Sequence, residues 1–242
     1  MAEDLRKAFH HDLDALRADI IRLGALAGEA ITRGTEALLS SDLDAAQAVI
    51  DGDDVLDALS LAIEERAFMI LARQSPMAGD LRAVVADLKI NADIERSADL
   101  MTNVAKGARR LFGARLTPKL RGALTAMSDE AGRLFRLSLD CYAERNGGLA
   151  AALDDIDDLL DDLHVEYIQA VFQAHAEGAI DLQAAVQLAL IGRFYERIGD
   201  HAVNVGERVR FMVDGWTPEQ SGAARQHERE RRLDGVDAAA GD

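Results

Sequence analysis

A single cysteine, Cys141, stands among the 242 residues. It excludes an internal disulfide framework and fits a reducing compartment. Proline is almost absent, at 3 residues, and aromatic residues make up only 5%. Ala, Leu, Asp and Arg predominate instead, a mix that favours helices and gives little support to strands. Positive charge is also short: 27 Lys and Arg face 43 Asp and Glu, for a formal net charge of −16. Nucleic-acid binding needs clustered cations on phosphates, so such a partner is not expected. Cations and basic protein surfaces are. No uninterrupted apolar run approaches the roughly 18–20 residues that span a bilayer. The start, Met1-Ala2-Glu3-Asp4-Leu5, is acidic where a secretory signal would be basic. A cytoplasmic location is therefore expected. No nucleophile elbow, phosphate-binding loop or Ser/His/Asp arrangement points to an enzyme.

What the chain does have is helical period. Residues 3–39 step through Leu13, Leu16, Ile20, Leu23, Ala27, Ala30 and Gly34 at intervals of three or four. Ser40-Ser41-Asp42 marks a break and a new cap. A second helix over residues 43–73 carries the stripe Leu56, Leu59, Ile63, Ala67 and Ile70. Ser75-Pro76 reads as a cap followed by proline in the first turn, opening a third helix over residues 76–112 with stripe Leu81, Val84, Leu88 and Ala92. Thr117-Pro118 opens a fourth helix to residue 144, and Asn146-Gly147-Gly148 reads as a stop. A fifth helix, residues 149–176, carries Leu153, Ile156, Leu160, Leu163 and Tyr167. Asp181 caps a sixth that runs to about residue 213. The fold class expected is all-α: six long helices forming a tandem duplication of a three-helix up-down-up bundle. The expected units are residues 1–112 and 117–214, with residues 218–242 as a disordered tail rich in Gly, Ala, Arg and Glu.

The duplication is carried by polar residues. Glu95, Asp99 and Asn103 stand 101 residues before Glu196, Asp200 and Asn204, and Asp53 and Asp57 stand 104 before Asp157 and Asp161. Residues four apart on a helix share a face, with Cβ atoms about 6 Å apart. On the third helix Glu95, Asp99 and Asn103 continue the line of the apolar stripe. Two such pairs across antiparallel helices, at about 8–10 Å between axes, bring four carboxylates around one volume. Like charges placed so must take protons, pair with Arg or Lys, or bind a multivalent cation. Arg96 and Arg197 lie about 100° round their helices and relieve the charge only in part. A single acidic pair is ordinarily a solvated face; four pairs in register with a repeat are not so easily dismissed. An all-oxygen set suits hard or borderline cations. His164 and His201 offer nitrogen, as ligands or as partners to them. A carboxylate-bridged di-iron oxidase would need Glu-x-x-His on paired helices, but Ala98 and Gly199 stand where those histidines should be.

The residues 190–207, Leu-Ile-Gly-Arg-Phe-Tyr-Glu-Arg-Ile-Gly-Asp-His-Ala-Val-Asn-Val-Gly-Glu, resemble the signature of the PhoU family of phosphate-signalling regulators. Residues 71–82, Leu-Ala-Arg-Gln-Ser-Pro-Met-Ala-Gly-Asp-Leu-Arg, are similar to that family's junction between its second and third helices. The resemblance covers residues 10–214 and both repeats. It implies multinuclear metal clusters, with iron the expected occupant and Mn, Mg or Zn as alternatives. The ligand candidates are Asp53, Asp57, Glu95, Asp99, Asp157, Asp161, Glu196 and Asp200, with Asn103, Asn204, Glu207 and His164 in support. It also implies a homodimeric negative regulator of phosphate uptake and phosphate-starvation signalling. Such a regulator links the ATPase subunit of a phosphate ABC transporter to a sensor histidine kinase and meets the membrane only through these partners. The other reading is a metal-binding helical scaffold with no phosphate role. An acidic chain without an anion-binding loop speaks against direct phosphate sensing. The first repeat departs from the pattern: Ser97-Ala98 replaces Ile198-Gly199, and Lys106 stands where Glu207 does. Tighter metal binding is therefore expected at the second repeat, while Gly199 and Glu207 read as variable features.

Overall fold

The computed structural model describes residues 2–217. The expected disordered tail, residues 218–242, lies outside the described residues. The elements are α1 (Ala2–Ser40), α2 (Leu43–Gln74), α3 (Gly79–Arg110), α4 (Pro118–Glu144), α5 (Gly147–Ala176) and α6 (Leu182–Asp214). None of these helices is long and apolar enough to cross a membrane. The fold is all-α, as expected.

The helix starts follow from short polar side chains. Asp42 accepts from the backbone N–H of Asp44 and Ala45, Thr117 from that of Leu120, and Asp181 from that of Ala184 at 2.7 Å. Each cap satisfies an otherwise orphaned amide, at about 0.5–2 kcal/mol. Two junctions correct the sequence reading. The stop at Asn146-Gly147-Gly148 holds for α4, which ends at Glu144 with Asn146 N–H donating to the Cys141 carbonyl at 2.9 Å. But Asn146 also caps α5 by accepting from Leu149 N–H at 3.0 Å, so both glycines lie in the first turn of α5 and not in a linker. The break falls one residue earlier, at the left-handed Arg145 (φ 52°). Nor does α3 begin at Pro76. Ser75 is left-handed (φ 45°) and ends α2, and a residue in that conformation cannot act as an N-cap, which needs extended backbone. The helix starts at Gly79 behind Ala78 (φ 49°), which gives no side-chain cap.

Within each repeat the three helices pack on one another. The repeats meet along α3 and α6, with a smaller seam between α1 and α4. The core holds Leu16, Ile20, Leu23, Ile63, Ile94 and Met101 with no exposed surface, each worth roughly 1.5–3 kcal/mol of burial. Three buried tyrosines satisfy their hydroxyls internally: Tyr142 donates to Asp87 at 2.8 Å, Tyr167 to the Leu188 carbonyl at 2.9 Å, and Tyr195 pairs with Thr35 at 2.7 Å. The stripe expected on α3 is shifted. Leu81 is 42% exposed, and the buried line runs through Ile90, Ile94, Ala98, Met101 and Ala105. Because α3 packs against α1, α2 and α6, its core wraps most of the helix. Glu95 and Asp99 therefore lie at the rim of the core and do not continue it: Glu95 is half-buried and Asp99 exposed.

The α5–α6 seam is closed by Gly192, Gly199 and Gly206, spaced by seven residues along one face of α6. A Cβ on Gly206 would lie 3.0 Å from the Ala150 carbonyl oxygen and 2.7 Å from Leu153 Cδ1. Gly52 on α2 has nothing within 4 Å of such an atom. Urea unfolding should separate the two. Gly206→Ala is expected to destabilise by about 1–3 kcal/mol through overpacking, and Gly52→Ala to stabilise by about 0.5–1 kcal/mol through helix propensity. A stabilised Gly206→Ala protein would rule out the close approach.

Candidate functional site

Each repeat brings its acidic pairs together across a helix seam. At the α2–α3 seam, burial raises the Asp53 carboxyl above its ordinary range. Hydrogen bonding from Thr102 opposes this, Asp57 and Asp99 add to it, and the charge of Lys106 opposes it again. Glu95 is raised chiefly by burial, then by Asp99 and Asp57. All four candidates of the first repeat thus share one field.

The α5–α6 seam is more strongly perturbed. Asp157 is pushed up to about 7, first by burial and then by Asp161, Asp200, Asp154 and Asp158. Asp200 is also raised, mainly by burial, against the charges of Arg193 and Arg197. Glu196 forms an ion pair with Arg193 one turn earlier on the same helix. The His164 ring is pushed below its usual value by burial and by Arg193. Three atoms at this seam are buried without any hydrogen-bond partner: Asp157 Oδ1, Glu196 Oε2 and His164 Nε2. Buried polar atoms normally find partners, and two carboxylate oxygens and an imidazole nitrogen are donors that a cation accepts. Among the described residues, no group of three or more His, Cys, Asp or Glu side chains is already arranged to hold a metal ion.

Some candidates are placed elsewhere. Asn204 hydrogen-bonds toward Asp93 on α3, and Glu207 acts on that same carboxyl, together with Arg208 and Arg96. These two residues face the seam between repeats, so Glu207 is not the counterpart of Lys106 in function. Asn103 is exposed. His201 is 93% buried against α3 and pairs with Ser97 Oγ at 3.1 Å. Its ring is pushed down to about 4, first by burial and then by Arg197 and Arg96.

Sequence reasoning missed three participants. Arg193 stands three residues before Glu196, a spacing that puts both on one face, and its first-repeat counterpart is Ala92. Thr102, which relieves Asp53, is replaced by Val203 in the second repeat. Gly199 is not a dispensable feature of its own repeat, because a Cβ there would lie 2.5 Å from Asp157 Oδ1 and 2.4 Å from Leu160 Cδ2. The space it leaves admits the Asp157 carboxyl to the seam.

Six helices in two internally similar bundles, each with an acidic seam, define a duplicated helical protein. The PhoU domain model matches residues 20–108 and 124–209. The chain is 36% identical over 215 residues to the phosphate-specific transport system accessory protein PhoU homolog 1 of Mycobacterium tuberculosis, covering 88% of this chain and 96% of that one. It is 37% identical over 215 residues to homolog 2 of the same organism, covering 88% and 100%. The crystal structure of PhoU from Pseudomonas aeruginosa superposes with a TM-score of 0.81 at 26% identity, covering 86% of this chain and all of that one. The chain belongs to the PhoU family.

The Asp157 carboxyl titrates near 7 when folded against 3.8 when unfolded. The folded chain holds that proton across the interval, so the metal-free protein loses stability as pH rises from about 4 to 7. Asp157→Asn removes this dependence. Metal-free Asp157→Asn protein should melt higher than wild type at pH 8 and show no such gain at pH 4. A wild-type advantage at pH 8 would contradict the assignment.

Proposed function

We propose that this protein is a non-enzymatic, cytoplasmic regulator of phosphate uptake. It holds phosphate-starvation signalling off when phosphate is plentiful, by docking on the ATPase subunit of a phosphate transporter and on a sensor histidine kinase. Its relatives' role as transport accessory proteins supports the first half of this reading. A repeated exposed apolar row supports the docking. Val55, Leu61 and Phe68 on α2 recur 104 residues later as Leu159, Val165 and Phe172 on α5, and all six are at least half exposed. An apolar side chain left in water at the same three places in both repeats marks an interaction face. Asp54, Glu64 and Glu65 flank the row on α2, and Asp158, Asp162 and Glu166 on α5, so the partner surface is apolar at its centre and basic at its rim. Two such acidic faces repel each other, so the homodimer, which we also propose, forms through another face.

The two acidic seams are proposed to bind cations, with iron foremost. Asp53, Asp57, Glu95 and Asp99 would hold the first cluster; Asp157, Asp161, Glu196 and Asp200 would hold the second, with His164 beside it. The observation that carries this is the set of partnerless buried atoms, Asp157 Oδ1, Glu196 Oε2 and His164 Nε2. A bound cation supplies the positive charge that the half-buried carboxylates lack. Arg193 supplies part of it in the metal-free chain and must release Glu196 for metal to bind. The second seam gathers Asp154 and Asp158 besides its four candidates, whereas the first is relieved by Lys106 and Thr102. It should bind metal more tightly.

Three measurements test the reading. Deleting the gene should derepress phosphate-starvation genes in high phosphate; unchanged expression would favour a scaffold with no phosphate role. Phe68→Asp with Phe172→Asp should abolish co-purification with the transporter ATPase while leaving the circular dichroism melt intact; full retention would remove the docking face. Metal content should fall further in Glu196→Ala than in Glu95→Ala, and equal losses would count against the asymmetry.

A further inference from the structure

The start of α3 and the ends of α4 and α6 meet the first half of α1 around a cavity of about 370 Å³ lined by Arg17, Arg82 and Arg145. Three guanidinium groups at one hollow are notable in a chain of net charge −16. The wall between them is the buried Tyr142–Asp87 hydrogen bond of 2.8 Å. The internal repeat supplies a control for this pole. Tyr142 corresponds to Leu38 and Asp87 to Leu188, at offsets of 104 and 101 residues, and both leucines are buried core residues. Arg82 corresponds to Gln183 and Arg145 to Ser41. Arg17 keeps a counterpart in Arg121, and the corresponding cavity at the other pole is bordered by Arg110 and Arg115. What separates the poles is therefore the buried wall, polar here and apolar there, and the presence of Arg82.

The arginines are not fully used by the protein itself. Arg17 donates to the Ala143 carbonyl, and the charges of Arg17 and Arg145 act on Asp87. Yet Arg17 Nε and Arg82 Nε are buried with no acceptor, and none of the ion pairs among the described residues involves Arg82. Gly79 and Asp80, the first residues of α3, border the same cavity, and Ala78 leaves that helix without a side-chain cap. Its positive end therefore opens into the hollow. Two carboxylates, Asp80 and Asp87, face three guanidinium groups, so the cavity is net positive. Planar guanidinium forks with unused N–H groups match the oxygens of a tetrahedral oxyanion.

We propose that this cavity binds a small tetrahedral oxyanion, free inorganic phosphate, gripped by Arg82 and Arg17 with Arg145 at the rim. The inference runs against the expectation that an acidic chain without an anion-binding loop does not sense phosphate directly. It does not rest on the acidic seams or on the transport role. Calorimetric titration of the chelator-treated full chain with inorganic phosphate tests it. Saturable binding is expected, weakened by about tenfold or more in Arg82→Gln with the melting temperature unchanged. Asp87→Asn, which removes a like charge, should bind at least as tightly as wild type. Glu196→Ala should bind as wild type does, which separates this cavity from the seams. O-phosphoserine, a phosphoryl group on a chain, should bind more weakly than the free ion. Absence of saturable binding would overturn the proposal. So would wild-type affinity in Arg82→Gln, weakened binding in Asp87→Asn, loss in Glu196→Ala, or a preference for O-phosphoserine.

Discussion

The half-burial of a few carboxylates beside exposed acids is the constraint around which the molecule is arranged. Asp157 sits where burial and four neighbouring acids hold its proton up to about 7. A folded chain tolerates such a placement only if something neutralises it. Near neutral pH in the metal-free chain, that role falls to the proton on Asp157 and to Arg193 on Glu196. The apolar core, sealed by side chains such as Ile20, Ile63 and Met101, supplies the stability that lets the seams remain unfavourable. The glycine face of α6 then sets how near the carboxyl comes, since Gly199 leaves the space that Asp157 occupies.

Duplication lets one design carry two compromises. The first repeat relieves Asp53 with Thr102 and Lys106; the second replaces Thr102 with Val203 and gathers more acids. At Gly192 a Cβ would press on Tyr167 and approach His164. Its counterpart Asn91 instead fills the space and donates to Ser60, the counterpart of His164, at 2.9 Å. Each repeat is internally consistent, and exchanging one member of the pair would leave either a clash or a void. The same divergence separates the buried walls of the two poles, one built with Leu38 and Leu188 and the other with Tyr142 and Asp87.

Much of the fold was legible in the sequence because caps and helical period are local. Asp42, Thr117 and Asp181 act as their residue types suggest, and the 101- and 104-residue offsets align the acidic pairs that the structure brings together. The failures have one cause, which is that tertiary context decides between readings a short segment leaves open. Ser75-Pro76 carries the composition of a helix start, yet Ser75 is held left-handed. Asn146-Gly147-Gly148 does end α4, yet Asn146 also caps α5 and its glycines open that helix. Glu95 lies on the line of an apolar stripe, but three-sided packing of α3 moves the core beside it. Arg193 could be read from its spacing to Glu196. Arg17, Arg82 and Arg145, separated by whole helices, had no local signal to read.

The most direct test is elemental analysis of the full-length protein purified without chelators, followed by its melting curve before and after chelation. Stoichiometric iron, or another hard or borderline cation, is expected, with a melting temperature that falls when the metal is removed at pH 8. Protein that is metal-free as purified, and whose melting does not change when iron, manganese, magnesium or zinc is added, would contradict the view that the acidic seams are built to hold cations.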